Sequence, residues 1–455
     1  MLDRLKALPF NLAVSNNHYL NLLLRIAIPI LGVGLCKRGI QMIDLFWIGK
    51  ISDVAINVYA VAMTVAMILF FLSFIMSYGV TVPASQAIEA DQSQFRQIIW
   101  AGYALNAVLS VFTICVVFLF IDDILVLFNL QPSEHAAAIL YSQILSVDIA
   151  LGYFINFMIS TLNISHQARG VIKLWFIAFI LNVGLDYVFM FGVGSFQGFG
   201  LVGCAIATTI SSMFVLIGLL VCHDVMIKGF FTHRLKLAAC QSIVKNGFYP
   251  MLSQMSRPLL DALILILIMD YGEKVLAAYN LGTRAFQIAL LFFLACDIAM
   301  TTELSKALAS RDQHRIEQVK TAGLILCLLL SFPILLFFLF FGDSLMGLLS
   351  QNDYIIYMSS SFIFMRTVFG SFYIFLAYLQ SAFKSYKKSY IPTIVTYLVL
   401  CLNVILIVFA TQFYPLEERK LWLMISLSAL LELIFLMLFI PLLSDKRSAL
   451  KESVT

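Results

Sequence analysis

Charge is scarce in this 455-residue chain. Asp, Glu, Lys and Arg make up 12% of it, about half the share of a soluble domain, against 62% hydrophobic residues. So few charges cannot cover a globular surface, and lipid is the expected solvent. Paired cysteines are also missing. The eight cysteines (36, 115, 204, 222, 240, 296, 327 and 401) stand singly in apolar or boundary sequence, with no CxxC spacing and no histidine cluster beside them. They read as reduced packing residues rather than as a disulfide framework or metal centre. There is no HExxH, GxSxG or P-loop, and the six histidines (18, 135, 166, 223, 233 and 314) fall in loops or near helix ends, so an enzyme is not expected. The opening segment MLDRLKALPFNLAVSNNHYL lacks the short apolar core and small-residue cleavage site of a secretory signal, so the first membrane helix is expected to stay in the mature protein. Symmetric rings of pore ligands, as an ion channel needs, are not suggested by one chain with unlike halves.

What the chain has is long apolar runs. They extend far beyond ten residues, which selects helices over barrel strands as the membrane-crossing elements. At about 20 residues per crossing, twelve helices are expected near 20–48, 54–83, 97–121, 136–163, 170–193, 199–222, 243–270, 275–305, 318–341, 354–383, 389–413 and 420–444. Short loops with turn signals separate them, such as Gly192-Val193-Gly194-Ser195 and Asn129-Leu130-Gln131-Pro132. The longest polar connection, 223–242, lies at the midpoint. Lysine and arginine favour cytoplasmic loops. With the N-terminus inside, 19 basic residues fall in inner segments and 4 in outer ones (Lys50, Lys274, Arg419 and Lys420). Both termini are therefore expected on the cytoplasmic side of the inner membrane. The formal charge of +4 reflects this bias, and no nucleic-acid partner is implied.

An internal repeat organises the helices. Asp91-Gln92-Ser93-Gln94-Phe95-Arg96-Gln97, ending Ala101-Gly102, recurs 221 residues later as Asp312-Gln313-His314-Arg315-Ile316-Glu317-Gln318, ending Ala322-Gly323, with five identities. At the same offset Leu181-Asn182-Val183-Gly184-Leu185-Asp186 faces Leu402-Asn403-Val404-Ile405-Leu406-Ile407. Six helices separate the copies, so they share one orientation. The expected fold is an all-α membrane protein of twelve transmembrane helices in two six-helix lobes, related by a pseudo-twofold axis along the membrane normal. The expected divisions are 1–222 for the N-terminal lobe, 223–245 for the cytoplasmic connection, and 246–455 for the C-terminal lobe and tail. The copies differ where chemistry is concerned. Asp186 is answered by Ile407, and Asp44 falls opposite Leu265-Ile266-Leu267 when Gly49 and Gly272 are superposed. A carboxylate inside a membrane helix is expensive, so two acids kept by one lobe and dropped by the other mark a candidate cation site.

Over most of its length the chain resembles the multidrug and toxic compound extrusion transporters. Helix 1 reads Ala27-Ile28-Pro29-Ile30, then Asp44, then Trp47-Ile48-Gly49, similar to the family's opening pattern. Helices 5 and 6 read Asn182-Val183-Gly184-Leu185-Asp186-Tyr187, Phe191-Gly192 and Gly200-Leu201-Val202-Gly203-Cys204-Ala205-Ile206-Ala207-Thr208, the more specific stretch. The resemblance implies a monomeric secondary antiporter. It would export organic compounds, cationic or amphipathic, in exchange for protons or sodium by alternating access, with no cofactor. It also implies a coupling-ion site at Asp44, Asn182, Asp186 and Thr208. The residues read alone agree: Asn182 and Asp186, four apart, share a helix face and offer the oxygens that hard cations prefer. Burial and a second carboxylate also favour the protonated form of an acid, so the same group could carry a proton.

The second half departs from the family. Where several members carry an acid in helix 7, this chain has Arg257, with Asp261 one turn on. The two either neutralise each other or face the substrate. Arg284 and Asp297 in helix 8 are further candidates for substrate or coupling roles, beside the intramembrane charges Arg366, Asp148 and Glu432. Lys37-Arg38 interrupts helix 1: Lys37 lies on nearly the same face as Asp44, about 10.5 Å below it, and Arg38 points about 120° away. Lys37 either reaches the acids as an internal counter-cation or packs between helices. Arg38, Arg257, Arg284 and Arg366 also keep open a flippase or exporter of an anionic lipid-linked or metabolite substrate from the same superfamily.

The orientation has a direct test. A single cysteine replacing Ser133, in a cysteine-free background, is expected to react with a membrane-impermeant maleimide from outside intact cells. Labelling only after the cytoplasmic side is opened would reverse the topology.

Overall fold

The computed structural model describes residues 18–126, 132–222, 235–268, 271–413 and 418–443. The N-terminal segment carrying Arg4 and Lys6, the turn at 129–131, the 223–234 part of the connection and the C-terminal tail lie outside the described residues. The first lobe comprises α1 (His18–Ile51), α2 (Asp53–Ala90), α3 (Gln92–Val126), α4 (Pro132–Ile164), α5 (Val171–Phe191) and α6 (Leu201–Cys222). The second comprises α7 (Leu237–Ile268), α8 (Glu273–Ser310), α9 (Gln313–Leu349), α10 (Asp353–Gly370), α11 (Phe372–Ser385), α12 (Tyr390–Phe413), α13 (Glu418–Ser426) and α14 (Ser428–Met437). Among the described residues, eleven helices are long and apolar enough to cross a membrane, and α10 with α11, bent by 46°, makes a twelfth span when the pair is taken as one. Helix 7 begins at Leu237, so the last part of the segment expected as connection is already helical.

The repeat is visible in the caps. Asp91 accepts the Ser93 amide at 2.8 Å ahead of α3, and its counterpart Asp312 accepts the His314 amide at 2.9 Å ahead of α9. Each aspartate satisfies N–H groups in the first turn of its helix. Equivalent helices thus start at equivalent depths in the two lobes.

The lobes meet at one end of the molecule, where α2 finishes and α7 begins. Gly79 lies against the Ile243 backbone and Gly247 against that of Ile75, leaving no room for a Cβ at either crossing. Around this contact Gln254 donates to the Tyr78 hydroxyl at 2.9 Å, and Arg315 forms a forked pair with Glu89, both bonds 3.1 Å. Lys306 reaches Glu303 at 2.7 Å and the His166 ring of the first lobe at 2.9 Å, while His166 also meets Glu303 at 3.1 Å. The same end of α1 is sewn to α8 and its neighbours through Leu20, Leu23, Ile26 and Ala27.

Bulk at the α2–α7 crossing is expected to wedge this end open. Gly247→Leu forces a side chain into a full contact, an overpacking that costs about 1–3 kcal/mol. Spin labels on Glu89→Cys and Arg315→Cys should move apart in that background by electron–electron resonance. An unchanged distance distribution would show that the crossing does not hold the lobes together.

Candidate functional site

Asn182 and Asp186 sit one turn apart on α5 and are fully buried. Past them the chain reverses in a two-strand hairpin, β1 (Gly192–Val193) and β2 (Phe196–Gln197), which Gly192 and Gly194 permit by adopting positive φ of 83° and 63°. Gly203 then presses α6 onto the backbone of Phe189 and Met190. That approach sets Cys204 beside Asp186. Asp44 arrives from α1, 5% exposed, and its carboxylate oxygen, one from Asp186 and the Cys204 sulfur lie within 4.8 Å of one another. Oδ1 of Asp44, both Asp186 oxygens, and the amide oxygen and nitrogen of Asn182 have no hydrogen-bond partner among the described residues. Thr208 is one turn beyond Cys204, half-buried, with its hydroxyl donating to the Cys204 carbonyl at 3.0 Å. Tyr141 lies within electrostatic reach of Cys204 and Asp44, and Tyr59 within reach of Asp44, Asp186 and Arg284.

Buried acids without donors are costly unless a proton or cation joins them. The second lobe shows how the fold fills the same place without such a task. Ile407 is buried in an apolar cluster with Ile264, Ile268 and Trp422, and Asn403, the counterpart of Asn182, donates to the Met424 carbonyl at 2.8 Å.

Other candidates are brought elsewhere. The Lys37 ammonium donates to the Asn156 side chain at 2.9 Å, sits 4.7 Å over the Trp175 ring, and has Asp148 as its electrostatic neighbour; the structure does not bring it to the acid pair. Asp297 pairs with Lys384 at 2.5 Å, both buried. Asp261 accepts the Tyr279 hydroxyl at 2.9 Å, and Arg366 is a stronger electrostatic neighbour to it than Arg257. Arg257 instead lies 4.7 Å over the Tyr373 ring, in a polar cavity shared with Glu432, which accepts from Gln380 at 2.8 Å and Thr396 at 2.6 Å. Arg38 and Arg284 are exposed. Cys204 was not foreseen, because a lone cysteine in apolar sequence reads as packing; its place four residues before Thr208, on the same face, was the available signal.

The MatE family model matches residues 29–188 and again 250–409, the second match beginning and ending 221 residues after the first. The chain belongs to the MatE family. Each lobe therefore carries one copy of the unit, at the offset read from the repeat, and the protein is a multi-pass membrane transporter rather than an enzyme. The chain is 21% identical to the multidrug resistance protein NorM of Photobacterium profundum, over 90% of this chain and 92% of that one. Its fold matches a mutant of the Vibrio cholerae MATE transporter VcmN with a TM-score of 0.85 at 18% identity, covering 96% of this chain and 100% of that one. It also matches a MOP superfamily transporter from Pyrococcus furiosus, described as having a binding pocket of reverse polarity, with a TM-score of 0.84 at 19% identity, covering 95% and 97%. These likenesses establish the two-lobe, twelve-helix MatE fold.

The placement of Lys37 yields a prediction within this fold. Lys37→Met leaves the Asn156 oxygen without its donor, so the purified protein should lose about 1–3 kcal/mol of stability. Its transport should keep the native dependence on pH and sodium. A shift in either profile would show that the ammonium acts on the acid pair after all.

Proposed function

We propose that this MatE protein is a proton-coupled antiporter that exports organic compounds across the inner membrane, with Asp44 and Asp186 as the coupling acids. The observation that carries the reading is the pair itself: two buried acids, with both Asp186 oxygens and Oδ1 of Asp44 lacking a hydrogen-bond partner among the described residues, answered in the other lobe by packed hydrocarbon. Asn182 adds an amide and Thr208 a hydroxyl to the same neighbourhood. Two adjacent carboxylates can share a proton where both could not be charged. The third group at the pair is a thiol, a poor ligand for a hard cation, so the set suits a proton better than sodium. With both termini cytoplasmic, the end held shut by Gly79, Gly247 and the Glu89–Arg315 pair faces inward. The opposite end then admits protons from outside, and their binding would favour opening of the inner contact to load substrate. The multidrug name of the Photobacterium relative supports export of organic molecules.

Efflux from vesicles tests this. A panel of fluorescent organic cations and anions is measured under an imposed pH gradient, an imposed sodium gradient, or both. Transport is expected to follow the pH gradient, and Asp44→Asn or Asp186→Asn should each lower it at least tenfold at equal protein abundance. Ile407→Asp should not restore either variant. Native transport in both Asn variants would reduce the acids to structural roles, and dependence on sodium at clamped pH would replace the proton as coupling ion.

A further inference from the structure

Helices α1 and α8 run antiparallel and belong to different lobes. They touch where Gly34 lies against the Leu291 side chain. Toward the termini-bearing end they stay packed, through Leu23, Ile26 and Ala27 against Phe293, Ala295 and Ala299. In the other direction the same two faces carry polar groups. On α1, Arg38 and Gln41 follow Gly34 at four and seven residues, the spacing of one helix face. On α8, Gln287 and Arg284 precede Leu291 at the same intervals, with Asn280 one turn further. Arg38, Gln41, Arg284 and Asn280 are exposed and Gln287 is half-buried. At 1.5 Å per residue, Arg38 stands about 6 Å and Arg284 about 10.5 Å beyond the contact, so both lie on the faces that α1 and α8 turn toward the cleft between the lobes, about 4.5 Å apart in depth.

Their charge is not answered by protein. Arg38 donates to Gln41 at 3.1 Å, and among the described residues neither arginine forms an ion pair. The other cations in the lobe contact are treated differently: Lys306, Arg315 and Lys384 are each paired with a carboxylate. The acids of the first lobe do not serve, because Asp44 points about 120° away from Arg38 around α1 and is buried. The group of the first lobe within electrostatic reach of Arg284 is the Tyr59 phenol, which brings no charge at neutral pH. An arginine at this depth costs about 2.5–3.5 kcal/mol on insertion scales, and each of the two carries that cost. A bound anion offsets both costs, and guanidinium forks match carboxylate and phosphate oxygens.

We infer that Arg38 and Arg284, assisted by Gln41 and Gln287, form a recognition site for the carboxylate or phosphate of an organic anion, and that this is the substrate site of the cleft. The charge is opposite to that expected from the family resemblance. The inference rests on the transport reading above but concerns a separate set of residues.

Three ligands with one ring and different charge provide the test: 1-naphthyl phosphate, 1-naphthol and 1-naphthylmethylamine. Binding to the full chain is measured in phosphatidylcholine nanodiscs. The phosphate is expected to bind at least tenfold more tightly than the other two. Arg38→Gln and Arg284→Gln should each remove most of that preference, and the Lys variants should recover part of it. Asp44→Asn should lose coupled transport yet keep the preference for the phosphate over the amine, whatever its affinity, which separates failure of this site from failure of the coupling reading. Replacing part of the phosphatidylcholine by phosphatidylglycerol distinguishes the source of the anion: loss of naphthyl phosphate binding there, dependent on both arginines, identifies a lipid headgroup as occupant. Equal binding of the three ligands, preference for the amine, or a phosphate preference that survives both Gln variants would overturn the assignment.

Discussion

Everything in this molecule answers to one constraint: inside hydrocarbon, each polar group must find a partner within the protein or line a space where something else can supply it. The backbone meets the constraint by helix formation. Most buried side-chain charges meet it by pairing. Asp297 takes Lys384, Glu303 takes Lys306, and Glu432 takes the Gln380 amide and Thr396 hydroxyl. Such pairs return little net stability, because desolvation consumes most of the attraction, but losing one partner would strand the other. Against that background the acids left without donors stand out as places where the fold accepts a penalty.

The same constraint explains where the lobes touch. Backbone-to-backbone packing at Gly79 and Gly247 brings α2 and α7 close enough for side chains around them to pair across the boundary. The Glu89–Arg315 fork and the His166–Glu303–Lys306 cluster both join residues of different lobes at that one end. The contact at that end combines close glycine crossings, the partly exposed Glu89–Arg315 pair and the buried Glu303–Lys306 pair with an apolar cluster that joins α1 to α8.

Much of this was legible in the sequence, for identifiable reasons. Apolar run length fixed the number of spans, since bilayer thickness leaves little freedom. The repeat was readable because the capping aspartates and the tight Ala-Gly positions are dictated by local geometry, which both copies must satisfy. Asp44 and Asp186 were readable because a carboxylate in an apolar run has no packing explanation. What depends on side-chain reach was not readable. Lys37 shares a face with Asp44 in projection, yet its flexible stem finds Asn156 and Trp175 on neighbouring helices. Arg257 and Asp261 have the spacing of an intrahelical pair, but Tyr279 and Tyr373 from other helices compete for them. Cys204 joins the acids only because Gly203 lets α6 approach α5, a tertiary fact with a one-residue signal.

The proposed coupling acids and the proposed anion site share helix α1, which suggests how they can act on each other without touching. Arg38 and Asp44 lie on one helix, six residues apart, about 9 Å along the axis and about 120° around it. One faces the cleft and the other the interior of the first lobe. A helix cannot turn or bend for one of them and stay still for the other, so a change at the acid pair that shifts α1 also moves Arg38 relative to Arg284 on α8. Pro29, below both residues and just before the Gly34–Leu291 contact, removes a backbone hydrogen bond where such a bend would be easiest. The energy of coupling then needs no chain of contacts between ion and substrate. On the proposed reading it is carried by the rigidity of two helical turns, and its sign is set by which position of α1 the acid pair favours when charged and when neutralised.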